Sequence, residues 1–343
     1  MRTQQPRLAA RRPRGEIGVI PARGTIHGTH HLTFCVGGAQ EDYDFHVRTL
    51  GLKSVKKTVL FDGEIPIYHL YYANGAGDAS TILTAFPYRQ AGWMGRRGTN
   101  QLKTLLLSVP TGSLGFWADR LGAAGIETEE AELFGTQRLN FAHPTGIPYS
   151  LVGVDGDDRT PYERAGVGAE NAIRGAYGTT TSVREPEPMD EFIARGMSGH
   201  RLASDGANHQ YKIGTDDGHG RILELVEEPD LPQGTWTFGE GTIHHDAFDA
   251  GTAESQAELK DWIVGLGFTD VSDVKDRGYF FSVYCRTPGG ALFEFAYSTP
   301  QGFTIDEAAD ELGTHMCIPP HWEDRRSEID QLEPIDTIET VQS

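Results

Sequence analysis

A His-His pair recurs in two matching settings, and this repeat constrains the chain more than any other feature. The first copy lies in Thr25-Ile26-His27-Gly28-Thr29-His30-His31-Leu32-Thr33-Phe34. The second lies in Gly241-Thr242-Ile243-His244-His245-Asp246-Ala247-Phe248. Each pair sits in a strand-like apolar setting and is followed by helical spacing. Tyr43, Val47 and Leu50 form the apolar stripe of a helix expected from Glu41 to Leu50. Leu259, Trp262, Ile263 and Leu266 do the same between Ala253 and Leu266. Glycines then follow, at Gly51 and at Gly265 and Gly267, where a left-handed cap suits them.

Three strand candidates follow each helix. In the first unit they run over Lys53 to Leu60, Ile67 to Ala73 and Ser80 to Phe86. In the last they run over Phe268 to Val274, Tyr279 to Arg286 and Ala291 to Tyr297, with Pro288-Gly289-Gly290 as a turn. Two more units of the same order fit between. One runs from Asn100 to Val154, with a helix near Leu114 to Gly125; the other runs from Asn171 to Glu228, with a helix near Met189 to Gly196. The expected fold is therefore α+β: four βαβββ modules paired into two domains with cupped mixed sheets. Consecutive pairing puts those domains at 24–160 and 170–300, between a flexible basic tail (1–23) and an acidic tail (301–343). A lone module has bare sheet edges; pairing two creates a sheltered concave face for a small molecule.

His31 and His245 are equivalent in repeats 214 positions apart, so pairing of those repeats puts both in one cavity. A single His on an apolar strand is more often a core residue than a ligand. Recurrence at matched positions counts against that reading. Glu294 interrupts Ala291-Leu292-Phe293-Glu294-Phe295-Ala296-Tyr297, a run long enough for a buried strand. A buried carboxylate is costly unless it is protonated or meets a cation. Two His and one carboxylate form the facial triad of non-haem iron(II) oxygenases. In the third unit Glu224 has no such company, because the matching first strand reads Arg174-Gly175-Ala176-Tyr177. The second and third units are therefore expected to form a degenerate site.

The repeat order and the His/His/Glu pattern resemble the vicinal-oxygen-chelate superfamily of glyoxalases, bleomycin-resistance proteins and extradiol dioxygenases. Tyr284-Cys285-Arg286-Thr287-Pro288-Gly289-Gly290-Ala291-Leu292-Phe293-Glu294 resembles the end of the extradiol signature. Within the superfamily the chain looks closest to the hydroquinone and chlorohydroquinone ring-cleaving dioxygenases, from His30 to about Thr304. The likeness includes Phe61-Asp62-Gly63-Glu64-Ile65-Pro66-Ile67-Tyr68-His69-Leu70-Tyr71, Gly234-Thr235-Trp236 and Arg277-Gly278-Tyr279-Phe280. It implies an iron(II) centre, with manganese(II) also compatible, held by His31, His245 and Glu294. It further implies supporting roles for His30, Thr33, His244, Arg277 and Tyr284. Catechol-cleaving relatives carry an acid-base His several residues before the signature Tyr. Here that stretch is Lys275-Asp276-Arg277-Gly278, and Arg stays cationic near neutral pH.

The net charge of -19, spread along the chain, disfavours nucleic acid and anionic membranes. No apolar run reaches membrane-spanning length. Cys35, Cys285 and Cys317 are odd in number and lack a CxxC spacing, which fits cytoplasmic thiols. The expected partners are a small aromatic substrate and dioxygen; a homo-oligomer is allowed. A glyoxalase-type lyase or isomerase is the alternative enzyme, but its usual fourth ligand has no counterpart in Thr81-Ile82-Leu83-Thr84-Ala85-Phe86. A non-catalytic drug or metabolite binder on the same scaffold would not need three metal ligands.

Overall fold

The computed structural model describes residues 24–60, 63–235 and 237–337. The basic tail expected over 1–23 lies outside them, as do Phe61, Asp62 and Trp236 of the motifs above. The first module comprises β1 (Thr29–Val36), α1 (Ala39–Tyr43), β2 (Lys53–Val59), β3 (Tyr68–Ala73) and β4 (Ile82–Pro87). The second comprises β5 (Gln101–Val109), α2 (Leu114–Ala123), β6 (Glu129–Leu133), β7 (Thr136–Ala142) and β8 (Pro148–Gly153). The third comprises β9 (Gly175–Val183), α3 (Glu187–Gly196), β10 (His200–Asp205), β11 (Asn208–Lys212) and β12 (Ile222–Glu227). The fourth comprises β13 (Thr242–Asp249), α4 (Ala253–Gly265), β14 (Lys275–Asp276), β15 (Phe280–Arg286) and β16 (Leu292–Ser298). All four expected helices form, and Gly51 and Gly267 take left-handed φ of +74° and +98° after theirs.

Two eight-stranded mixed sheets result, in the orders β14-β15-β16-β13-β1-β4-β3-β2 and β10-β11-β12-β9-β5-β8-β7-β6. The first module thus joins the fourth, and the second joins the third. This corrects the domain bounds 24–160 and 170–300, and it is the pairing that the matched positions of His31 and His245 and the degenerate second and third units call for. Each module ends in a bare edge at its first strand, and local sequence does not choose which edge covers it. Antiparallel pairing of β1 with β13 makes the choice, setting Thr33 opposite His245.

Three local features also differ from expectation. The first helix is α-helical only to Tyr43 and continues as a π-helix over Asp44–Thr49, with Leu50 N–H reaching Phe45 O at 2.9 Å. No strand forms over Phe268 to Val274 beyond an isolated bridge between Val271 and Cys285, and the two-residue β14 follows it. Asp270, Ser272 and Asp273 make that segment a polar edge with little to bury. The acidic segment after 301 is not a loose tail. It packs along β2, where Lys56 meets Asp306 and Glu307, each at 2.5 Å, and Trp322 is buried over Val59. A short helix, α5 (Arg326–Ile329), lies in this strap.

A buried polar lock ties the sheets together. Asp42, from the first module, lies 3.1 Å from His46 Nδ1 and 3.2 Å from His143 Nε2 of the second. Tyr72 O–H donates to its other oxygen at 2.6 Å. The Thr145 backbone N–H donates to His143 Nδ1 at 3.1 Å, so the neutral ring carries its proton on Nε2, toward Asp42. Burial pushes the Asp42 carboxyl up, but His46 and His143 outweigh it and hold the group well below the usual carboxylate range.

Candidate active site

β1 and β13 lie side by side at the centre of the first sheet, and their two His-His pairs meet there. Strand alternation would send neighbouring side chains to opposite faces. Instead the register slips between Thr29 and His31 on β1, and between Thr33 and Phe34 opposite β13. The paired residues skip His30 on one strand and His244 on the other. Each is the extra residue of a β-bulge, which re-aims its side chain. His30 Nδ1 consequently lies 2.9 Å from His31 Nδ1, and His244 Nδ1 lies 2.8 Å from His245 Nδ1. His30 Nε2 is anchored in turn on Ser298 Oγ at 2.8 Å.

The inner nitrogens converge. His31 Nε2 and His245 Nε2 are 3.0 Å apart, and Glu294 Oε2 is 3.0 Å from His245 Nε2 and 3.8 Å from His31 Nε2. β16, parallel to β13, supplies Glu294 opposite Ala247. All three residues are buried. Ser282 O–H donates to Glu294 Oε1 at 2.6 Å, whereas Oε2 makes no hydrogen bond. Burial pushes Glu294 up to about 7, with Ser282, Arg277 and Tyr284 opposing the rise. Burial holds His31 and His245 well below the ordinary imidazole range, and the neighbouring His rings add to the effect. Two neutral imidazoles and an orphaned carboxylate oxygen facing one point suit a divalent cation such as iron, manganese or zinc. Among the described residues this group offers three ligands, and β4 contributes no carboxylate.

The triad opens onto a cavity of about 570 Å³. Its polar lining comprises His31, His69, His244, His245, Arg277 and Tyr284, with Phe86 and Phe280 set against the His rings. Arg277 Nε donates to the Tyr284 hydroxyl at 3.1 Å. Burial, then the Glu294 charge, pushes the Tyr284 phenol up, so it keeps its proton. Of the five supporting residues expected from sequence, His244, Arg277 and Tyr284 reach the cavity. His30 stands behind His31. Thr33 stands behind the wall: its hydroxyl meets Thr84 Oγ1 at 2.8 Å, and Thr84 meets His69 Nε2 at 3.1 Å. Sequence reasoning missed His69 and Ser282 as site residues. Ser282 was findable, since it lies two residues from Tyr284 and so on the same face of β15.

No protein-family model matches the chain. Chlorohydroquinone/hydroquinone 1,2-dioxygenase of Sphingobium indicum is 39% identical over 313 residues, spanning 90% of this chain and 96% of that protein. This chain belongs to the hydroquinone ring-cleaving dioxygenase family. A crystal structure of a Bacillus subtilis protein named "putative dioxygenase" superposes on this family member with a TM-score of 0.84 at 32% identity, covering 91% of this chain and 98% of that one. Glyoxalase I from Zea mays shares the fold, with a TM-score of 0.58 at 13% identity over 79% of this chain and 92% of that one. The two curled sheets of this dioxygenase homologue are therefore the paired vicinal-oxygen-chelate arrangement.

The second sheet carries the matching place without the ligands. Glu224 on β12 is buried like Glu294, but Arg138 grips it with two hydrogen bonds and Gln210 adds a third at 3.1 Å. A guanidinium there supplies the positive charge that a buried carboxylate needs.

Proposed function

We propose that this protein is an iron(II)-dependent dioxygenase that cleaves the ring of para-hydroquinones with dioxygen. The convergence of His31, His245 and the unbonded Glu294 oxygen at the buried end of a cavity lined largely by aromatic and apolar side chains carries this reading. Manganese(II) suits the same ligands. The three buried, unpaired cysteines fit the cytoplasm.

His31, His245 and Glu294 would hold the metal, which when bound would bring a phenolate oxygen and dioxygen together and lower the phenol's pKa. The chain's own residues handle protons and charge. A lone pair on His245 Nε2 requires the proton on Nδ1, which then donates to His244 Nδ1. His244 thereby holds its remaining proton on Nε2, on a ring that lines the cavity. His31 and His30 repeat the arrangement, and His30 donates its Nε2–H in a hydrogen bond to Ser298 Oγ rather than facing substrate. Tyr284 accepts from Arg277, which orients the phenolic proton for donation to a developing oxyanion. Arg277 stays cationic and stabilises negative charge, but it cannot shuttle protons at neutral pH.

The test is oxygen consumption by iron-loaded protein with hydroquinone and with catechol, oxygen in excess. A higher kcat/KM for hydroquinone supports the proposal. Preference for catechol overturns the substrate assignment, and absence of uptake with either overturns the activity.

A further inference from the structure

The cavity is larger than a bare hydroquinone ring needs, and much of its lining is apolar. The polar groups cluster at the buried inner end, around His31 and His245. The remaining walls are apolar: Phe86 and Phe280 lie against the His rings, Leu60, Ile67, Tyr88 and Leu292 continue the surface, and the rim carries Ile65 and Trp93. Ile65 is 40% and Trp93 47% exposed, although large apolar side chains gain by being covered. The volume of about 570 Å³ falls in the range of pockets that bury drug-sized ligands rather than a single ring. Charge is equally one-sided. Arg277 is the sole Lys or Arg among the described lining residues, it sits at the inner end on Tyr284, and Glu64 stands at the rim.

Resting on the proposed hydroquinone activity, we infer that the site is built for para-hydroquinones bearing an uncharged apolar ring substituent larger than a halogen, such as a branched alkyl or aryl group. With one ring oxygen at the inner end, such a substituent lies along Ile67 and Leu292 and covers Ile65 and Trp93. A carboxylate in its place loses its hydration against apolar walls, finds no unshared cation and meets Glu64. Hydroquinones with acidic substituents are therefore rejected.

The experiment compares hydroquinone, tert-butylhydroquinone, phenylhydroquinone and 4-(2,5-dihydroxyphenyl)benzoate, whose carboxylate is too far from either hydroxyl to chelate the metal. Affinity is measured anaerobically by calorimetry on metal-loaded protein, and kcat/KM from oxygen uptake. The alkyl and aryl compounds are expected to exceed hydroquinone by roughly 10-fold or more in both, the scale of added apolar contact in a hydrophobic pocket. 4-(2,5-Dihydroxyphenyl)benzoate is expected to fall below both phenylhydroquinone and hydroquinone. Trp93→Ala, at an exposed rim position, should reduce the aryl-to-hydroquinone ratio severalfold. Equal or weaker binding of the bulky compounds, or binding of the carboxylate as tight as theirs, overturns the inference. Selective binding without oxygen uptake would instead uphold the pocket assignment and sink the dioxygenase reading.

Discussion

Two hydrogen bonds, of 2.9 and 2.6 Å, fork the Arg138 guanidinium onto the Glu224 carboxylate inside the second sheet. Both side chains are buried, so removing one leaves the other charged and unpaired. Arg138→Met is expected to cost about 3–5 kcal/mol of stability. Glu224→Gln should leave metal content at the wild-type value. Denaturant titration reads the first outcome and elemental analysis the second. Metal loss in Glu224→Gln would show that the second sheet takes part in the centre.

The buried cluster of His31, His245 and Glu294 is sensitive to pH. Burial raises the apoprotein's Glu294 to about 7, so the folded apoprotein favours the protonated acid. A raised carboxyl pKa stabilises the fold at low pH, and apoprotein stability therefore declines between the ordinary carboxylate range and about pH 7. Metal binding must displace that proton. Affinity should rise about tenfold per pH unit up to that point and then level off. A pH series of metal titrations measures it. Ala at His31, His245 or Glu294 should abolish binding with the fold retained by circular dichroism.

His30 and His244 back His31 and His245 through Nδ1 contacts of 2.9 and 2.8 Å. Replacing either with Phe should weaken metal affinity about 10–100-fold, the usual cost of losing an outer partner. His244→Phe should also lower kcat after metal is restored to saturation, because His244 lines the cavity. His30→Phe should recover under saturating metal. Identical behaviour of the two variants would refute the separate roles.

Arg277→Ala should cut turnover roughly 10²–10³-fold, as loss of one oxyanion donor does. Arg277→His replaces a fixed cation with a group that can exchange protons, and should move the hydroquinone-to-catechol kcat/KM ratio toward catechol. Steady-state assays on both substrates decide this. An unchanged ratio would remove Arg277 from substrate choice.

Asp42 is held ionised well below the usual range by His46 and His143. A depressed carboxyl pKa contributes stability above the unfolded pKa and loses it as pH falls through the folded value. Asp42→Asn should therefore be less stable than wild type above about pH 4, with the difference shrinking in stronger acid. Thermal melts across pH 3–7 provide the measurement.

The repeat itself determined most of the architecture. Helical stripes after each His-His pair and the glycines behind them specify local backbone, and local backbone is what short-range sequence encodes. The apolar run around Glu294 likewise announced a buried carboxylate, because an isolated charge there would be too costly. Other relationships were decided only in three dimensions. Which module covers which edge depends on long-range pairing of β1 with β13, since every module offers a similar bare edge. The packing of the segment after 301 depends on Lys56, a residue far away in sequence whose buried charge needs Asp306 and Glu307. Strand alternation alone would separate His30 from His31 and His244 from His245. Bulges at His30 and His244 bring each pair together, and a bulge depends on the register between two strands rather than on either strand's sequence.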